Sequence, residues 1–192
     1  MRKLEPMIQR VLKQKRCKVC KRKFTPHSGL QVVDTPQCAI LYARIKSEGV
    51  QRKKDKRRLN ELKTKSQWLK EAQREFNSFI RLRDYKLPCI SCGRNNKCKF
   101  DAGHYLSVGA RPDLRFTEDN VHKQCSQCNT HKSGNQVEYR RRLVERISEA
   151  GVEKLEFHGP ALRLIVPDIQ AIKDKYRKKA NELRKLMDSG QC

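Results

Sequence analysis

Four cysteines and one histidine carry the most specific chemistry in this chain. Cys89 and Cys92 form one Cys-x-x-Cys pair, Cys125 and Cys128 form a second, and His104 stands between them. Thiolates at this spacing make a closed tetrahedral zinc site. Zinc alone would describe a ribbon that merely folds or binds. The residues held between the pairs go further. His104 sits in DAGHY (101–105), Asn120 precedes the second pair, and Asn129 directly follows its last cysteine. A His and two Asn residues inside and beside such a site are the parts of a metal-dependent nuclease. Cys98 lies between the pairs without a partner and reads as a free thiol.

These side chains need elements to position them. Lys99–Tyr105 reads as a short strand carrying His104. A second strand is expected through Leu114-Arg115-Phe116, turning at Glu118-Asp119-Asn120. A helix is expected to start near Cys125–Cys128 and run through Asn129, His131 and Lys132. The fold class is therefore α+β: a small zinc-stapled ββα core flanked by long basic helices, with a zinc-finger-like segment at the N-terminus. Trp68, Ala72, Phe76, Phe79, Ile80 and Arg83 repeat with helical period, with Ser66 as cap and Lys86-Leu87-Pro88 as boundary. That stripe reads as core, packed on the zinc module. Val137, Tyr139, Leu143, Val144 and Ile147 predict a helix over 136–149 ended by Gly151. Pro167 opens a last helix whose Ile169, Ile172, Tyr176, Leu183 and Leu186 share a face, to pack back on the module or to form a dimer seam. Met7, Ile8, Val11 and Leu12 fit one or two helical turns. The expected segments are 1–45 (zinc-finger-like), 46–86 (basic linker and amphipathic helix), 87–150 (core) and 151–192 (helical).

Composition points to a polyanion. The net charge is +24 with a pI near 10, and residues 1–65 hold 20 Lys and Arg against 5 Asp and Glu. Nucleic acid is the natural partner of such a chain. Lys53, Lys54, Arg57 and Arg58 lie in the densest run, a solvated helix or flexible arm suited to gripping phosphates. Hydrophobic content of 36% and a mean hydropathy of −0.88 leave little core material, which a metal staple would supplement. No signal peptide or membrane span is visible, so the nine cysteines read as zinc ligands or thiols in a reducing cytoplasm.

The pattern GH…N…C-x-x-C-N-x-x-K resembles the HNH, or His-Me finger, nucleases. Over a longer span, LPCISCG (87–93), DAGHY (101–105), LRF (114–116), the HKQC-to-SGN block ending at 135 and the early CKVC (17–20) resemble the NinG (Rap) family of lambdoid phages. That family is described as structure-specific endonucleases acting on branched DNA. The resemblance implies D-loops or Holliday junctions as substrates, 5′-phosphate and 3′-hydroxyl products, recombination proteins as partners, and the cytoplasm of a phage-infected or lysogenic bacterium as the place. His104 would be the general base, Asn120 would orient it or its loop, and Asn129 would hold Mg²⁺ or Mn²⁺. Arg111, Arg115 and Lys132 would contact phosphates. Many family members carry a metal ligand just before the base, where this chain has Gly103. Asp101 is the nearest carboxylate and would need a bulge at Gly103 to reach the same face; His122 and His131 are further candidates. At the N-terminus Cys17, Cys20 and Cys38 leave a zinc site one ligand short. The family spacing puts Asp34 fourth, with His27 as rival. A symmetric junction would suit a homodimer. The competing readings are a non-catalytic zinc-dependent DNA-binding protein and a nicking enzyme with sequence preference.

Overall fold

The computed structural model describes residues 12–96, 98–157 and 163–190. The turns expected around Met7, Ile8 and Val11 lie outside the described residues. Two compact units divide the chain, Met1–Lys63 and Thr64–Cys192. The boundary falls inside segment 46–86, between its basic run and its amphipathic helix.

In the first unit β1 (Lys15–Arg16) pairs antiparallel with β2 (Lys23–Phe24). The turn between them carries Cys17 and Cys20. Helix α1 (Pro36–Glu61) follows, with Pro36 at its first position, where the missing N–H has no helical partner to lose. The Thr35 hydroxyl caps it by accepting from the Cys38 N–H at 3.2 Å. Cys38 is buried, whereas Ile40, Leu41, Ile45, Val50 and Leu59 are exposed. The basic run is therefore a solvated helix, supported by i,i+4 pairs such as Arg44–Glu48 and Gln51–Asp55.

The second unit begins with α2 (Lys65–Arg83). Thr64, not Ser66, is its cap. Its hydroxyl accepts from the Gln67 N–H while the Gln67 side chain accepts from the Thr64 N–H, so only the T-x-x-Q spacing satisfies both donors. Trp68, Ala72, Phe76, Phe79 and Ile80 are buried, as their period required. They close against α5 (Val166–Asp188), which runs parallel to α2. Lys173 pairs with Glu71, Arg184 donates to the Ser78 hydroxyl at 2.7 Å, and Phe76 meets Tyr176 edge-on with ring centroids 4.6 Å apart. The apolar face of the last helix is thus used within the chain.

Strands β3 (Phe100–His104) and β4 (Val121–Cys125) pair antiparallel, one residue opposite one, from Phe100–Cys125 to His104–Val121. The second strand lies later than the sequence suggested. Leu114–Phe116 is not extended; Pro112–Leu114 and Glu118–Asn120 are single 3₁₀ turns. Val121–Cys125 was hard to see as a strand because it is buried along its whole length despite His122, Lys123 and Gln124. Those polar groups are satisfied inside: the Lys123 ammonium donates to the Tyr85 and Leu87 carbonyls at 2.9 and 2.7 Å. On one face Ala102 and Val121 join Phe76, Ile80 and Tyr176 of α2 and α5. The other side is covered by α3 (Gln136–Ile147) and α4 (Glu149–Glu156), whose Tyr139, Leu143, Val152 and Leu155 enclose Ile90 and Tyr105. Between β4 and α3 stands a π-helical turn, Gln127–His131, rather than the start of a continuous helix. Gly151 lies inside α4. The break comes earlier, at Ser148, with φ +69° and a hydroxyl that accepts from the Gly151 N–H.

Candidate functional site

Among the described residues two ligand clusters form, each built on the same turn. In the first, the thiols of Cys89, Cys92, Cys125 and Cys128 lie within 4.8 Å of one another. Zinc–thiolate bonds of about 2.3 Å in a tetrahedron set sulfurs about 3.8 Å apart, against about 2.05 Å in a disulfide. The Cys92 and Cys125 sulfurs are 3.8 Å apart. The Cys89 N–H donates to the Arg94 carbonyl and the Gly93 N–H to the Cys89 carbonyl, each at 2.9 Å, with Gly93 at φ +71°. The Cys125 N–H donates to the Cys89 sulfur at 3.3 Å, a dipole aimed at thiolate charge. In the second cluster Cys17 repeats this turn. Its N–H donates to the Arg22 carbonyl at 2.8 Å and its carbonyl accepts from Lys21, which adopts φ +63°. Cys17, Cys20, Asp34 and Cys38 gather within 4.8 Å, so Asp34 and not His27 completes the set. Asp34 Oδ1 is buried without a hydrogen-bond partner, a lone pair that a cation would satisfy. Both sets suit an ion such as zinc. Cys98 is exposed and outside them.

His104 ends β3 on the face that looks toward α2. Its Nε2 lies 3.1 Å from the Arg115 carbonyl oxygen. A carbonyl can only accept, so Nε2 carries the proton and Nδ1 of the neutral ring keeps a bare lone pair. Burial holds the imidazole below its ordinary pKa; the Arg115 carbonyl opposes this and the Arg115 charge adds to it. Asn120 is fully buried. Its Oδ1 accepts from the Leu106 N–H at 2.9 Å, and its Nδ2 donates to the Leu106 carbonyl at 3.0 Å and the Leu114 carbonyl at 3.3 Å. It clamps the segment that follows His104 to the turn that leads to Arg115.

His104, Arg115 and Asn129 line one open cleft of about 640 Å³. Its other wall is α2, contributing Lys70, Gln73, Arg74, Asn77 and Arg81. Among the described residues no carboxylate lines it. The α2 residues escaped the sequence reading, which followed only the apolar stripe of that helix.

Other expected site residues lie elsewhere. Asp101 does not join His104. The strand pairing is regular, so Asp101 points to the opposite face, where the Ser126 hydroxyl donates to it at 2.8 Å. No bulge forms at Gly103. Glycine stands there because a Cβ would come within 2.0 Å of Gln124 Oε1 and 2.9 Å of Gln124 Cβ. Arg111 is not a surface cation: it is buried, held by Asp113 and donating to the Leu155 carbonyl at 2.8 Å. His122 is buried against the Tyr139 hydroxyl at 3.2 Å, and burial pushes its pKa down to about 3. His131 and Lys132 are exposed at the end of the π-helical turn, and Lys53, Lys54, Arg57 and Arg58 are exposed on α1.

Among the described residues no helix is long and apolar enough to cross a membrane. No solved structure matches the chain. Curated relatives named protein ninG are similar to this chain. The one from Escherichia phage 933W is 41% identical over 189 residues, covering 89% of this chain and 94% of the relative. Those from Escherichia phage lambda and Salmonella phage P22 are 48% and 50% identical over 123 residues, covering 64% of this chain and 60% and 61% of theirs. Residues 9–186 match the family model described as Bacteriophage Lambda NinG protein. With that match spanning nearly the whole sequence, the chain belongs to the NinG family of bacteriophage proteins.

Proposed function

We propose that this protein is a metal-dependent endonuclease that cuts branched recombination intermediates such as D-loops and four-way junctions, with β3, β4 and the following turn serving as a His-Me finger core. The supporting observation is His104. Its proton is fixed on Nε2 by the Arg115 carbonyl, and its ring lines a cationic cleft shared with Asn129. In the proposed reaction Nδ1 of His104 takes a proton from water as the oxygen attacks phosphorus. The P–O3′ bond then breaks, leaving 5′-phosphate and 3′-hydroxyl ends. Asn120 keeps the ring's support in place, and Arg115 draws the phosphate in. A divalent cation bound there would stabilise charge on the phosphate, and Asn129 is the residue that would hold it. Among the described lining residues no carboxylate joins Asn129, so the cleft itself would offer such an ion only neutral donors. The choice of branched DNA follows the NinG resemblance.

The same lack of a carboxylate favours a second reading, a zinc-dependent DNA-binding protein without catalysis. One comparison separates the two: wild type and His104→Ala on a panel of branched substrates with Mg²⁺ or Mn²⁺. The expected result is cleavage by wild type alone, with junction binding and zinc content equal in both. Equal cleavage by the two proteins rules out the mechanism, and cleavage by neither supports the binding protein.

A further inference from the structure

We infer that the outward face of α2 is the phosphate track of the cleft, on which Lys70, Arg74 and Arg81 hold successive phosphates of one DNA strand and so seat one of them beside His104. The seating step rests on the proposed nuclease reading; the track itself does not.

The helix has two faces with separate tasks. Trp68, Ala72, Phe76, Phe79 and Ile80 are buried against α5 and the strands. Positions 70, 73, 74, 77 and 81 recur at intervals of three and four, so they form one narrow stripe, and that stripe is what lines the cleft. From Lys70 to Arg81 a rise of about 1.5 Å per residue gives roughly 16 Å. Between the cations Gln73 donates to Asn77 at 2.8 Å, and these two amides neutralise no charge.

The core does not need this stripe. The Arg74 side chain is 74% exposed. Lys70, Arg74 and Arg81 share the cleft with Arg115, and the Glu75 carboxylate, 3.7 Å from Arg74, offsets only part of that positive charge, so the potential there favours an anion. Long cationic side chains set in a row recognise the sugar–phosphate backbone rather than base edges, so the track is indifferent to sequence.

The test uses the full chain and a fluorescently labelled four-way junction. Binding is measured by anisotropy across a salt series, in a His104→Ala background that keeps the substrate whole. Replacing Lys70, Arg74 and Arg81 together by Ala is expected to weaken binding at least about tenfold near 0.15 M salt. The dependence of log affinity on log salt should become shallower by roughly two to three, at about 0.9 per lost phosphate contact. Arg74→Gln alone, at an exposed position, guards against misfolding of the triple variant and should flatten the slope by about one. With His104 restored, single-turnover cleavage at saturating protein should fall by about tenfold or more in the triple variant. Wild-type affinity and salt slope in both α2 variants would overturn the track. If wild type cuts nothing while the α2 variants lose binding, the nuclease reading fails and the track stands.

Discussion

Two histidines show how residue type and surroundings divide the work. His104 and His122 lie on the same strand pair, on opposite faces. His104 borders a cleft with one ring nitrogen tied down; His122 is sealed under Tyr139 with its pKa pushed down to about 3. In the unfolded chain His122 takes up a proton near pH 6.5, and in the folded chain it refuses one until near pH 3. Stability therefore falls as pH drops through that window, by about 1.4 kcal/mol per unit and on the order of 4–5 kcal/mol in all. His122→Gln should remove this share. In urea titrations at pH 7 and pH 4, the variant is expected to lose clearly less stability on acidification than wild type. An identical loss in both would assign the acid sensitivity to other groups, such as buried Asp84, whose lowered pKa acts in the same direction. From sequence the two histidines differed only by neighbours, and His104 stood out because cysteines and asparagines framed it. Arg111 could not be read in that way. Its partner carbonyl belongs to Leu155, 44 positions later, and nothing local marks the pairing.

Among the elements, α2 and the strand pair show what a periodic pattern reveals and what it leaves out. The apolar stripe of α2 was legible because burial selects one helix face. The cleft-lining stripe was not, because a polar face reads the same whether it meets water or a ligand. Strand β4 escaped notice for a related reason: its buried polar residues break the alternation by which strands are recognised. The fit between the strands explains the residue that broke the family pattern. Gln124 fills the space beside Gly103, so Gly103→Ala should destabilise the second unit by roughly 1–3 kcal/mol. Gln124→Ala also leaves its own hydrogen bonds to Ser91 and the Gly134 carbonyl unmade, so it too should destabilise. The double variant should be clearly more stable than the sum of the two losses predicts, as measured by thermal melts. Simple additivity would mean that Gly103 is required for some other reason.

Across the whole molecule, two units each contain one ligand cluster built on a shared turn. Small cores of this kind gain folding free energy from a structural ion. Purified protein should hold two zinc ions per chain, and Asp34→Ala should hold one, by elemental analysis after exhaustive dialysis. A single zinc in wild type contradicts the second site. The CKVC turn was readable at the start of the chain, and the family spacing named Asp34, the residue that the fold brings to the three thiols, as fourth ligand ahead of His27. The role of the last helix was open, because an apolar stripe does not name its partner. Its pairing with α2 has a consequence for synthesis on the ribosome. Glu71 and Lys173 are 102 positions apart, and Ser78 and Arg184 are 106 apart. At about 5–20 residues per second, the nascent chain carries Phe76, Phe79 and Ile80 without their α5 cover for roughly 5–20 seconds. During that interval the wall of the cleft has its cations but not its backing, so the second unit can close only once α5 has been made, and a chain stalled before α5 would be a substrate for chaperones and proteases rather than a folded protein.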